Sequence, residues 1–414
     1  MLLIVPSATY RAKDFLDAAR ALGVEVVVGS EEVHALGPLM GTRSLEIPVR
    51  DTDAAVDAVV AHDRVAPLDA VVAVDDVGAV VAAAAAERLG LPHNPPDAVA
   101  AARDKLAMRT RLRAAEVPQP PFVAVTPDAG SPHIAAAARR VGLPCVVKPT
   151  TLSASQGVIR ADTPQDAVSA AQRVRAIARA EGVTADAPIL LEQFVRGAEV
   201  AIEAVLASGE LTVLAVFDKP DPLDGPFFEE SIYVTPSRLP PDDLGAATRA
   251  VEAATRALGL VHGPVHAEVR VEHGRASVIE VAARTIGGLC SRALQFSTGQ
   301  TLEQLVIAQA LGRRADVRQA PDAAGVLMLP IPRAGQFLAV EGQSDALAVP
   351  GVTGIEITVA PGRRIVPVPE GNRYLGFIFA RGSRPDRVEI ALRRALASLH
   401  IVIDPGAQSA SGTA

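Results

Sequence analysis

The chain has 414 residues, 49% of them apolar and 21% charged, enough for two or three domains at about 150 residues each and incompatible with bulk disorder. Its 40 basic and 47 acidic residues give a net charge of −7 with no basic run, which excludes a generic nucleic-acid or membrane surface and leaves small molecules as the expected partners. Two cysteines, Cys145 and Cys290, make neither a disulfide framework nor a metal cluster, so a reducing cytoplasm is expected.

From the N-terminus, strand and helix patterns alternate. Leu2 to Val5 is an apolar run too short for a signal-peptide core, so export is not expected. Ala12 to Leu22 carries Phe15, Leu16, Ala19 and Leu22 at helical spacing and stops at Gly23. Val24 to Val28 and Ala70 to Val74 are further strand-like runs, the second ending in Asp75 and Asp76 before an alanine-rich helix to Leu89 and Gly90. Its apolar stretch Val77 to Ala86 is half the length a membrane span needs, about 20 residues. This βαβ alternation predicts a parallel sheet. A turn-rich passage, Leu91 to Pro96, and a short helix holding Arg103, Asp104 and Lys105 place the first domain boundary near residues 95–104.

The middle of the chain reads differently. A helix near Pro132 to Val141 leads to the apolar strand Cys145 to Lys148, then to the small, polar segment Thr150 to Gly157 and a returning strand, Val158 to Arg160. That is a hairpin with a flexible tip. A helix over Pro164 to Ala180 precedes strands at Ile189 to Phe194 and Glu199 to Leu206, the latter turning at Ser208 and Gly209 into Leu211 to Phe217. After a loop from Asp218 to Pro240 and a helix to Leu258, Val265 to Val271 and Ala276 to Val281 form a hairpin turning at His273 and Gly274. A helix from Thr301 to Leu311 follows, then mostly strands with one amphipathic helix, Pro385 to Leu399, and a tail expected to be disordered.

Three segments have the composition of a reactive site. Lys148 ends an apolar strand beside the small-residue loop TTLSASQGV, whose Ser153, Ser155 and Gly157 suit either a phosphate cradle or an ordinary solvent hairpin. No GxxxxGK[ST] motif is present, which excludes a Walker P-loop. In ILLEQFVRGAEVAIEAVL, Glu192 and Glu199 are strand carboxylates that face either water or a ligand. In VHAEVRV and SVIEVAARTIGG, Glu268 and Glu280 lie on adjacent strands of one hairpin, with Arg284 just beyond. Converging carboxylates need a cation between them, and magnesium suits such a pair; a pair of surface glutamates is the plainer alternative.

The order of these segments resembles the ATP-grasp superfamily over nearly the whole chain. It runs from Lys105 in ARDKLAMRTRL and Lys148 in PCVVKPT through the flap Ser153 to Gly157, the hinge LLEQFV and Glu199 to the pair Glu268 and Glu280 followed by Arg284. The look is that of its carboxylate-amine ligases, the L-amino acid ligase group in particular. The resemblance implies an α/β fold, α+β in part. An N-terminal βαβ pre-ATP-grasp domain (1–103) would precede a central ATP-grasp domain (104–312, flap at about 150–158) and a mostly β C-terminal domain (313–405), with a tail at 406–414. It further implies that Lys105 and Lys148 contact the ATP phosphates and that Ser153, Ser155 and Gly157 close over them. Glu192 would accept from the adenine amino group, the backbone of Gln193 and Val195 would read the adenine edge, and Glu199 would bind the ribose. Glu268 and Glu280 would hold Mg2+, or Mn2+ in its place, and Arg284, catalytic together with Lys148, would neutralise the transferred phosphoryl group or hold the substrate carboxylate.

The expected activity is ATP-dependent joining of a small carboxylate to an amine through an acyl phosphate, releasing ADP and phosphate, with no nucleic acid or membrane partner and a homodimer as an open expectation. A bicarbonate-using carboxylase of the same superfamily and an ATP-binding protein that has lost catalysis are the alternatives. Two departures stand out. Ala282 occupies the place where many members carry an asparagine, so an amide ligand to a second metal is missing, and the flap is poorer in glycine than most.

Overall fold

A computed structural model describes residues 1–6, 9–31, 43–296, 299–313, 317–318 and 320–405; the expected tail, 406–414, lies outside them. The chain divides into two compact units, Met1–Gln119 with Val200–Val216 and Leu239–Pro321, and Pro120–Glu199 with Phe217–Arg238 and Asp322–Ala414.

The first unit begins with a parallel sheet in the order Ser44–Glu46, Val27–Ser30, Leu2–Ile4, Val71–Ala73. Leu2, Leu3 and Ile4 are fully buried, as a central strand covered on both faces requires. The alanine-rich helix Asp76–Leu89 is capped by the Asp75 carboxylate on the N–H of Val77 and ends at Gly90 in the left-handed conformation. The helix Thr52–Asp63 and the strand Ser44–Glu46 are additions to the sequence reading. The strand is three residues long, too short to show a period, whereas the helix carries Val56, Val59 and Val60 at helical spacing behind Asp51, which caps it by accepting from the N–H of Ala54.

The same unit holds the hairpin Gly263–Glu272 and Arg275–Ala282, ordered in its sheet next to Ala198–Ala207 and Glu210–Asp218. Helix Pro241–Leu258 packs its Ala247, Val251, Ala254 and Leu258 against Val265, Val269 and Val278. His273 and Ser208, each followed by a glycine, take positive φ at the two tight turns.

In the second unit, strands Phe122–Val125, Ile189–Gln193, Cys145–Pro149 and Ile159–Ala161 form an antiparallel sheet in that order. Helices Ser131–Val141 and Pro164–Ala180 cover it, the latter opened by a reciprocal capping box between Thr163 and Asp166. A second antiparallel set, Ile232–Thr235, Ala323–Leu329, Gly376–Gly382 and Val352–Ile357, is backed by helix Pro385–Ala397. Besides that helix, this region has a short one, Gln343–Leu347, which the strand-dominated sequence pattern did not suggest. Among the described residues no helix is long and apolar enough to cross a membrane.

Candidate functional site

The candidate residues fall into two groups, one in each unit. In the first unit the hairpin register sets Glu268 directly opposite Glu280. A bulge follows at once, because Val269 pairs with Val278 and Ile279 is left over. The buried Arg109 holds this irregularity by donating to Ile279 O at 2.7 Å and to Val278 O at 3.3 Å. Two backbone carbonyls at the bulge thus find a side-chain donor.

Charges of both signs surround the pair. Lys105 Nζ lies 3.4 Å from Glu280 Oε1, and His266 Nε2 lies 3.7 Å from Glu268 Oε1. On its other edge His266 Nδ1 meets Glu203, whose second oxygen accepts from the N–H of Ile286 at 2.9 Å. Burial works against an imidazolium there, yet Glu203 and Glu268 push the His266 pKa up to about 9. Arg284 Nε sits 2.9 Å from Asp76. Burial opposes the charge of this guanidinium too, but Asp76 and more distant carboxylates raise its pKa above the ordinary arginine value. Burial likewise disfavours the Asp76 carboxylate, and Arg284, then Lys105 and Arg103, hold it below the usual range.

In the second unit Lys148 and Glu192 lie on the paired strands Cys145–Pro149 and Ile189–Gln193 and meet at 2.7 Å, their side chains 5% and 4% exposed. Glu192, which the resemblance gives to adenine, therefore already carries a cation. The backbone N–H of Gln193 donates to Pro121 O at 2.9 Å, and Val195 follows the strand end, half-buried. Glu199 is bound by Lys219 Nζ at 2.8 Å, and the same ammonium reaches Glu230 at 2.7 Å. Lys219 is the residue sequence reasoning missed: inside FDKPDP it looks like one more surface cation, whereas its side chain is 3% exposed between two carboxylates. Tyr233 Oη and Tyr374 Oη also donate to Glu230.

The flap carries Ser153, Ser155 and Gly157. Ala154, Ser155 and Gly157 all have positive φ, so the segment coils tightly, and a Cβ on Gly157 would meet Pro149 Cδ at 3.2 Å. Gln156, by contrast, is buried and donates to Glu181 Oε1 at 2.9 Å and to Glu370 O at 2.7 Å. Gly157 N donates to Pro369 O at 2.8 Å. Phe227, in the loop from Asp218 to Pro240, bridges to Ile159 just past the flap.

Among the described residues no three His, Cys, Asp or Glu side chains form a ready-made metal cage. Glu268 and Glu280 offer hard oxygen donors from two sides, the kind of set magnesium uses when phosphates and water complete its shell. The donor chemistry fits that ion.

Sequence comparison identifies the domains of the chain. Residues 16–93 match the ATP-grasp N-terminal domain, 141–293 the ATP-grasp domain and 327–404 the L-amino acid ligase C-terminal domain 2. The chain belongs to the ATP-grasp superfamily, with its N-terminal, central ATP-binding and C-terminal domains built on mixed α/β sheets. Within it the chain is L-amino acid ligase-like. The crystal structure of L-amino acid ligase from Bacillus licheniformis superposes with a TM-score of 0.79 at 27% identity, covering 97% of this chain and 98% of that one. Alanine–anticapsin ligase of Bacillus subtilis is 30% identical over 251 residues, 56% of this chain and 52% of the relative. The protein y4rH of Sinorhizobium fredii is 27% identical over 318 residues, 76% of this chain and 64% of the relative. The chain thus spans about half to two thirds of the length of these curated relatives.

Proposed function

We propose that the protein is an ATP-dependent carboxylate-amine ligase that joins an amino acid to an amine, the amine of a second amino acid included. The observation that carries this reading is the register of Glu268 opposite Glu280 with Lys105 beside the pair and Arg284 after it. Phosphoryl transfer rests mainly on positioning and on neutralising oxygen charge, and these are the groups it uses. The match of residues 327–404 to an L-amino acid ligase domain supports a ligase over a bicarbonate-using carboxylase.

In this reading a substrate carboxylate oxygen attacks the γ-phosphorus of ATP, the bond to the β-phosphate oxygen breaks, and ADP leaves. The amine then attacks the acyl phosphate, loses a proton, and inorganic phosphate departs. Lys105 and Lys148 hold phosphate oxygens, Arg284 meets the transferred group or the carboxylate, and the flap excludes water from the acyl phosphate. Glu268 and Glu280 would hold Mg2+ or Mn2+, which neutralises phosphate charge when bound. Ala282 supplies no side-chain oxygen, so one metal is expected to bind firmly and a second only with nucleotide. Both cysteines are buried, and no disulfide joins them.

Incubation with ATP, magnesium, hydroxylamine and single amino acids tests the reading. A hydroxamate should accumulate with matched ADP; AMP and pyrophosphate as the matched products would overturn it.

A further inference from the structure

The edge of the N-terminal parallel sheet is tied to the turn that follows the strand of Glu280. Arg11, buried, donates to Val74 O at 2.7 Å and to Thr285 Oγ1, and so joins the end of strand Val71–Ala73 to residue 285. Ile286 N is held by Glu203, and Arg284 Nη1 closes on Thr285 O at 2.9 Å. The turn is therefore held through the Thr285 hydroxyl, the Thr285 carbonyl and the Ile286 N–H. One bond to Nη1 alone leaves the Arg284 guanidinium free to turn about that contact.

We infer that Asp76 is a positioning residue, setting the direction of the Arg284 guanidinium for the phosphoryl-transfer step from the N-terminal sheet edge. Its carboxylate sits in the first turn of helix Asp76–Leu89, where helix geometry and the helix N-terminus fix it, and it takes Arg284 Nε at 2.9 Å. With Nε so held and Nη1 on Thr285 O, the planar guanidinium has one orientation. The pair is not sealed in the core: its side chains are 13% and 23% exposed, so the guanidinium keeps surface that a ligand reaches. The N-terminal domain thereby contributes to the reaction without touching the reacting atoms. This rests on the role proposed for Arg284.

The test compares Asp76→Asn, which keeps shape and loses charge, with Asp76→Glu, which keeps charge. Asp76→Asn should lower kcat for ADP release at least tenfold while the KM for ATP stays within about twofold and the melting temperature holds, and Asp76→Glu should recover most of the rate. An unchanged kcat in Asp76→Asn would overturn the assignment, as would equal losses in both variants with the KM for ATP rising in step. Slow ATP hydrolysis without amino acid provides a second reading, because it reports phosphoryl transfer to water. If wild type forms no hydroxamate, the ligase reading fails, and the Asp76→Asn to wild-type ratio of that hydrolysis still decides on Asp76: a tenfold fall supports its role and an unchanged ratio removes it.

Discussion

Lys148 and Glu192 show how much a single side chain depends on its partner. Each is almost wholly out of water, and each is tolerable there because the other stands 2.7 Å away. Removing one member of such a pair strands a buried charge and costs about 3–5 kcal/mol, whereas replacing both with apolar groups is often neutral. Lys148→Met should therefore lower unfolding stability by about that amount and weaken ATP binding at least tenfold. The double variant Lys148→Met, Glu192→Leu should regain most of the stability in urea titrations but not the ATP affinity. Parallel recovery of both would make the lysine structural only. Glu280→Gln is a different case, because its carboxylate is partly exposed and shares Lys105 at 3.4 Å. The fold should survive that change, by circular dichroism and melting temperature, while turnover falls at least a hundredfold; wild-type turnover at ordinary magnesium would remove Glu280 from the site.

At the scale of elements, the flap is governed by a loop far away in sequence. Gln156 and Gly157 bond to the carbonyls of Glu370 and Pro369, and Arg173 grips Glu370 at 2.6 and 2.9 Å. That loop is a tight turn: Gly371 N donates to Pro367 O, and a Cβ at Gly371 would lie 1.9 Å from Val366 O. Glu370→Ala, like Gly371→Ala, should free the flap without disturbing the sheets. Thermolysin cleavage near Leu152 and Val158 should quicken several-fold, and more ATP should be lost to water per amide formed; unaltered cleavage would show that the flap is held elsewhere. Arg173 keeps the Glu370 carboxyl below its ordinary pKa. A lowered carboxylate pKa stabilises the contact above the ordinary value, so the latch should persist through mild acid and loosen only as pH falls through the lowered value. The loop at residues 150–157 is readable from its small polar residues, but Gln156 there looks like a surface amide. Its partner carbonyl is 214 residues away, and no local pattern announces it.

For the molecule as a whole, ligand binding is the most accessible readout. A ligand that binds only the folded state stabilises it by about 2.7 kcal/mol at a hundredfold excess over Kd. ATP with magnesium should raise the melting temperature, and removal of the metal with EDTA should abolish most of that rise, because the phosphates would then face Glu268 and Glu280 without a cation between them. A rise indifferent to EDTA would count against the carboxylate pair as the metal site.

Local order was decided by local chemistry. The parallel opening, the helix beginning at Pro164 behind its Thr163 cap, and the existence of the hairpin that carries Glu268 and Glu280 all follow from periodicity, caps and turn residues within a few positions of one another, whereas the bulge that sets the two carboxylates opposite each other does not. The superfamily was legible for the same reason, since its lysines and glutamates occur in a set order along the chain. Tertiary structure alone decided which charges meet. Lys219 between Glu199 and Glu230, Asp76 on Arg284, Arg109 beneath the bulge and Glu370 beneath the flap join residues between 11 and 214 positions apart. Burial reverses what such side chains mean: a solvated lysine needs no partner, and a buried one needs a carboxylate whose position only the folded chain sets.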